Sequence, residues 1–184
     1  MSIMFFFIIF FILGVILTFS SPRFSPIPYF PSNKKDFPLI IKALDLKNNQ
    51  VVFDLGAGDG IVIFEAAKFA FEKKLNTQFF AIEINPILIF IMWIRWLFHP
   101  NKRNIKIVYN DIFKINPKRY KLHVVNYTFY LYISPWYLER IIKNLKSKIK
   151  NFLLVSYFYP IQKIKPKKII QGKNKIFVYS INSF

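Results

Sequence analysis

The sequence contains no cysteine, two histidines, five glycines and nine acidic residues. Without cysteine there is neither a disulfide framework nor a thiolate metal site. His99 and His123 lie far apart and have no third partner, so a zinc site is not expected and no metal ligand is assigned. The shortage of acid leaves a formal net charge of +18. Lysine greatly outnumbers arginine, and phenylalanine, isoleucine and asparagine are abundant, a mix that an AT-rich genome also produces. The location of the charge is therefore more informative than its size. After Glu139 there is no acid at all, while Arg140 and ten lysines follow.

What the chain does have is apolar residues, 54% of its 184 positions, which is ample for one core and leaves some over. Part of the excess is concentrated at the start. Ile3 to Phe19 is apolar apart from Gly14 and Thr18, close to the minimum of about 17 residues for a bilayer span. A signal peptide needs a basic start and a small-residue cleavage site. Here no Lys or Arg precedes the run, and Ser20-Ser21-Pro22 is a poor site. The first cations, Arg23, Lys34 and Lys35, follow it, so the positive-inside rule places the rest of the chain in the cytoplasm. The expectation is an uncleaved single-pass transmembrane anchor over 1–20, with a cleaved signal or a buried core helix as the alternatives. Pro22, Pro26, Pro28 and Pro31 make 21–34 a stiff connector. Residues 35–184 form the expected globular domain.

The domain is organised around Val51-Val52-Phe53-Asp54-Leu55-Gly56-Ala57-Gly58-Asp59-Gly60. A strand-type run ends near an acid, a glycine turn follows, and Ile61 to about Lys74 reads as a helix. Bare glycine backbone admits a ligand closely, which makes this a nucleotide-type site. A dinucleotide fingerprint would place a third glycine where Ile61 stands. Gln78 to Ile84 reads as the second strand, with Glu83 at its end. A carboxylate there can accept from both hydroxyls of a ribose. Asn85-Pro86 opens the next helix. Asn104 to Tyr109 is the third strand, followed by Asp111-Ile112-Phe113. Leu122 to Thr128 is read as the fourth, ending near Asn126-Tyr127-Thr128-Phe129-Tyr130. Ser134-Pro135 starts a helix with an apolar stripe at Leu138, Ile141, Ile142, Leu145 and Ile149 and a basic face at Arg140, Lys143, Lys146 and Lys148. Phe152 to Tyr157 is the fifth strand. Ile169-Ile170, a turn at 171–174 and Ile176 to Ile181 read as a closing hairpin. Ahead of the first strand, Asp36 to Leu46 is a short helix, with Asp36 as its cap and Pro38 in its first turn.

One helix is unusual. Ile87 to Phe98 is apolar nearly all round, whereas a sheet-packing helix has a polar face. Two readings stand: the outer face meets lipid or the anchor helix, or protein buries both sides.

Asp54-Leu55-Gly56-Ala57-Gly58-Asp59-Gly60 resembles motif I of the class I S-adenosylmethionine (SAM) methyltransferases. The order of motifs from residue 28 to 181 is similar to one branch of them. These are the membrane-anchored lysine methyltransferases of the ATP synthase c-subunit and the adenine nucleotide translocase, with their short prokaryotic relatives. The similarity rests also on Pro28-Tyr29-Phe30-Pro31-Ser32, Ile82-Glu83-Ile84-Asn85-Pro86, Asp111-Ile112-Phe113, Tyr130 with Pro135, and Val155 to Pro160 running into the hairpin. The resemblance implies a Rossmann-like α/β sheet, mostly parallel with an antiparallel C-terminal strand, and SAM as cofactor. It implies that Gly56, Ala57, Gly58, Asp59 and Gly60 pass under the methionine part of SAM and that Asp54 meets its ammonium group. It implies further that Glu83 serves the ribose, with Ile84 and Asn85 beside it in the cofactor site, that Asp111 meets the adenine amino group, and that Ile112 packs on the ring. The resemblance implies that the Pro28 to Ser32 segment, with Tyr29 and Pro31, helps close the site, and Asn126 is expected at its entrance beside Tyr127, Phe129 and Tyr130. Tyr127 and Thr128 replace the prolines of a base-methylating N/D-P-P-Y/F motif, so an adenine-modifying site is not supported.

The implied function is N-methylation of a lysine on a membrane protein, with Tyr130 and Asn126 orienting the substrate. The bland alternative for these aromatics is core filling beside the fourth strand. Two other readings compete. The basic C-terminal third could serve as the phosphate-binding surface of an RNA methyltransferase, or the chain could be a non-enzymatic basic protein held on anionic lipid.

Overall fold

A computed structural model of the chain describes residues 2–20, 30–120 and 126–182, with the side chains of the first helix described from Ile3 to Val15. Helix α1 (Ser2–Ser20) carries its apolar side chains from Ile3 to Leu13 into the open. Among the described residues no helix is long and apolar enough to cross a membrane. The expected span, Ile3 to Phe19, runs past the described side chains of α1. Most of the connector, with Tyr29, also lies outside the described residues.

The domain is a seven-stranded sheet flanked by helices. In chain order the elements are α2 (Phe37–Leu44), β1 (Gln50–Leu55), α3 (Ile61–Glu72), β2 (Gln78–Glu83), α4 (Pro86–Leu97), β3 (Ile105–Tyr109), β4 (Asn126–Leu131), α5 (Pro135–Lys146), β5 (Asn151–Tyr157), β6 (Lys168–Gln171) and β7 (Lys175–Asn182). The strand order is β3-β2-β1-β4-β5-β7-β6. β1 to β5 pair in parallel, while β7 runs antiparallel between β5 and β6. β1 is central and buried along its whole length. Its alternate residues feed two cores: Val51, Phe53 and Leu55 join α5, and Val52 joins α2, α3 and Met92 of α4. The strand order reverses beside β1, between β2 and β4. In such sheets ligands bind at this switch point, outside the carboxyl ends of the strands.

The fourth strand runs further along the chain than its sequence suggests. Its described part spans Asn126–Leu131 and so passes the expected end at Thr128, while 122–125 of the expected range lie outside the described residues. A central strand buries both faces, and Thr128, Phe129, Tyr130 and Leu131 do so. Such a run has no alternation to mark its ends.

Asp36 also has a different task from the expected cap. It makes no capping bond to α2. Its buried carboxylate instead accepts from the backbone N–H groups of Lys173 (2.7 Å) and Asn174 (3.0 Å) in the β6–β7 turn and from the Tyr157 hydroxyl (2.7 Å). A Cβ at Gly172 would run into that carboxylate, which explains the glycine there. The entry segment, the end of β5 and the closing hairpin are thus tied at one point. Burial pushes the Asp36 carboxyl up, but the bonds from Asn174, Tyr157 and Lys173 outweigh it and hold it below its ordinary value. The stability it contributes is therefore present above the ordinary carboxylate pKa and is lost as pH falls through the lowered folded value. Asp36→Ala leaves three donors unmatched and is expected to destabilise the domain by about 2–4 kcal/mol. Urea melts at neutral pH should show that gap, and melts at low pH should show it shrinking.

Candidate cofactor and active site

The glycine turn joins β1 to α3 at the carboxyl edge of the sheet. Gly56, Gly58 and Gly60 all have positive φ, 83°, 60° and 75°, a region that costs other residues strain. The Ile82 carbonyl accepts from both Gly56 N–H and Ala57 N–H at 2.9 Å, which fixes the turn against β2. Gly60 is also a packing position: a Cβ there would come within 2.8 Å of Met92 and Phe64.

Glu83 completes the turn from the neighbouring strand. Its carboxylate accepts from Gly58 N–H (2.8 Å), Ile84 N–H (2.8 Å) and Asn85 N–H (2.9 Å) and is buried. A carboxylate has about four acceptor positions, so one remains for an incoming hydroxyl. Asn85 is buried and caps α4, its side chain accepting from Ile87 N–H at 2.9 Å. Asp59 is turned outward to Arg95 of α4, 2.6 Å away, and its other oxygen accepts from Ile61 N–H.

Asp54 is different. It is 3% exposed and lies in the lining of the cleft, with no ion pair or side-chain hydrogen bond among the described residues. Burial, then the charges of Glu83 and Asp59, push its carboxyl well above the ordinary value. A buried acid among like charges is an unmet demand for a cation. Across the sheet, Tyr130 pairs in register with Asp54. Its buried hydroxyl shares a 2.8 Å hydrogen bond with Ser32 Oγ, and burial pushes that hydroxyl well above its usual value.

These groups surround one cleft of about 120 Å³. The cleft gathers Pro31, Asp54, Gly56, Ala57, Gly58, Asp59, Glu83, Ile84, Asp111, Ile112 and Tyr130, eleven of the residues singled out from the sequence. Gly60 and Asn85 support it from behind. Asn126 does not belong to it. It lies exposed at the opposite edge, paired in register with Gln50 at the start of β1. The strand shift described above is the reason, and Asn126 is removed from both the catalytic and the cofactor-binding sets. Asp111 Oδ1 accepts from Phe113 N–H at 2.8 Å, and its other oxygen is 3.9 Å from Lys114.

Phe30 and Ser32 line the cleft from the entry segment, and Phe113 lies beyond Asp111, all three within motifs quoted from the sequence; the structure adds Leu88 from α4, and Tyr132 and Ile133 just past β4. Tyr132 is half-buried and makes an edge contact with the Tyr157 ring at 4.9 Å. A correctly placed end of β4 would have pointed to it, since residues just beyond a parallel strand face the ligand.

The donor set fits SAM. Asp54 supplies a negative group for the ammonium, Glu83 retains acceptor capacity for a ribose, the glycine turn leaves room for backbone approach, and Ile112 with Phe113 offers an apolar wall for a ring. SAM would supply an activated methyl group on a sulfonium.

No family model matches the chain. It is 22% identical over 160 residues to the lysine N-methyltransferase of the ATP synthase c-subunit from Xenopus laevis, covering 86% of this chain and 65% of that protein. The chain thus spans slightly less than two thirds of the length of that relative. Among solved structures, an RNA methyltransferase from Salinibacter ruber in complex with S-adenosyl-L-homocysteine aligns with a TM-score of 0.70 at 18% identity, over 84% of this chain and 95% of that one. A precorrin-6y C5,15-methyltransferase from Geobacter metallireducens GS-15 aligns with a TM-score of 0.56 at 17% identity, over 82% and 92%. The fold is the one these SAM-dependent methyltransferases share.

Because the folded state raises the pKa of Asp54, its contribution to stability is present below the ordinary carboxylate pKa and lost as pH rises through the raised value. Asp54→Asn is therefore expected to stabilise the ligand-free domain at neutral pH by about 1–3 kcal/mol. The same change should abolish SAM binding by calorimetric titration. A variant that loses both stability and binding would contradict this assignment.

Proposed function

We propose that this protein is a membrane-anchored SAM-dependent N-methyltransferase that modifies a lysine of a membrane protein, with its catalytic domain on the cytoplasmic face. The observation that carries the chemistry is the buried Asp54, without a cation among the described residues, in a cleft with Glu83 and the glycine turn. The likeness to a lysine methyltransferase of the ATP synthase supports the substrate class. The helical, apolar α1 supports the anchor.

Methyl transfer from a sulfonium is an in-line displacement, so the protein's task is positioning and exclusion of water. Asp54 and Glu83 hold the cofactor's polar ends. Phe30, Pro31 and Ser32 cover the cleft, fastened by the Ser32–Tyr130 hydrogen bond. A lysine must arrive as the neutral amine, and the aromatic mouth formed by Phe30, Phe113 and Tyr132 disfavours its charged form by desolvation. Tyr130 acts as a positioning residue through Ser32, and Tyr132 faces the substrate.

RNA methylation is the second reading. The charge of +18 and the fold likeness to an RNA methyltransferase favour it.

Transfer of labelled methyl from SAM into membranes separates the two. Label released by protease and absent with Asp54→Ala supports the lysine reading, and label released by nuclease supports RNA. Ser32→Ala and Tyr130→Phe should each weaken SAM binding by about two- to tenfold. The double variant should cost no more than the larger single effect, because both remove one bond.

A further inference from the structure

Helix α4 presents an apolar stripe that no described residue of the domain covers. Phe90, Trp93, Ile94, Leu97 and Phe98 are 45–84% exposed. They fall at i, i+3, i+4, i+7 and i+8, which is one face of a helix. The opposite face, with Leu88 and Met92, is buried against the domain. Arg95, the single charged residue of α4, is turned to Asp59. The stripe itself is therefore uncharged. Its C-terminal end is bordered by exposed cations. Lys102 donates to the Leu97 carbonyl at 3.1 Å and Arg103 follows it. Asn101 donates to the Ala67 carbonyl at 2.8 Å, which brings the exposed Lys68 to the same end.

From this geometry we infer that the outer face of α4 is a second membrane contact, which seats the domain on an anionic phospholipid surface. An uncharged apolar stripe with a tryptophan and a basic rim matches the acyl boundary and headgroup layer of such a surface. The inference rests on α1 lying in the bilayer. Phe30 follows Ser20 by only ten positions, a reach of at most about 35 Å. The domain then stays within contact of the surface, and α4 is the described face of the domain suited to it. α4 begins beside Glu83, and its Leu88 lines the cleft. Seated on α4, the cleft opens along the membrane plane, where a lysine of a membrane protein emerges from the lipid.

The lack of cysteine gives a direct test. Full-length Phe90→Cys, Phe98→Cys and Trp136→Cys each carry one spin label. Trp136 is 82% exposed and lies on α5, across the sheet from α4, so it serves as the control. Each protein is mixed with vesicles of phosphatidylcholine containing phosphatidylglycerol, and label relaxation is read with oxygen and with a water-soluble nickel chelate. The expected result is loss of nickel access with gain of oxygen access at 90 and 98, and free nickel access at 136. Equal nickel access at all three sites in vesicle-bound protein overturns the inference and leaves the anchor standing. Loss of both reagents at 90 and 98 also overturns it, since α1 or a second copy then covers α4. Protein that does not float with the vesicles overturns the anchor and this inference together.

Discussion

The carboxylate of Asp54, next to last in the central strand, has no cation beside it among the described residues. Asp54 is buried, faces the cleft and sits near Glu83 and Asp59. In a protein of charge +18, cations are abundant. Among the described residues the arrangement nevertheless commits Arg95 to Asp59 and pairs no cation with Asp54. Such a group weakens the ligand-free fold and strengthens the hold on a cationic ligand. Stability is given up at the place where binding needs it.

The rest of the site is built to keep that group in position. Glu83 accepts from backbone N–H groups on three sides and clamps the glycine turn to β2. Tyr130 lies opposite Asp54 in the sheet and carries the entry segment through Ser32. Asp36 then secures that segment to Tyr157 and the closing hairpin. The two tethers cross 98 and 121 residues of chain. The cover of the cleft is thus set by contacts between segments far apart in the chain.

The two long apolar features of the chain have different relations to the domain. α1 makes up the start of the chain and exposes its described side chains. α4 is part of the fold, with one face in the core and the other uncovered. An ordinary surface helix turns polar residues outward; the departure at α4 lies beside the cleft, which Leu88 of the same helix lines.

Local patterns determined much of this protein. Asp54 to Gly60 marked the turn because glycine backbone with positive φ leaves a clear local trace. Glu83 and Asp111 were legible because each follows a short apolar run with a defined end. The mostly parallel sheet was implied by the motif resemblance, and the closing hairpin followed from the turn at 171–174 between two apolar runs. The end of β4 was not legible, because a strand buried on both faces has no period, and that error displaced Asn126 and hid Tyr132. The partners of Asp36 and the Ser32–Tyr130 bond were decided by tertiary structure alone. Hydrogen bonds between residues a hundred positions apart leave no spacing to read, and only the closed sheet brings their atoms within reach.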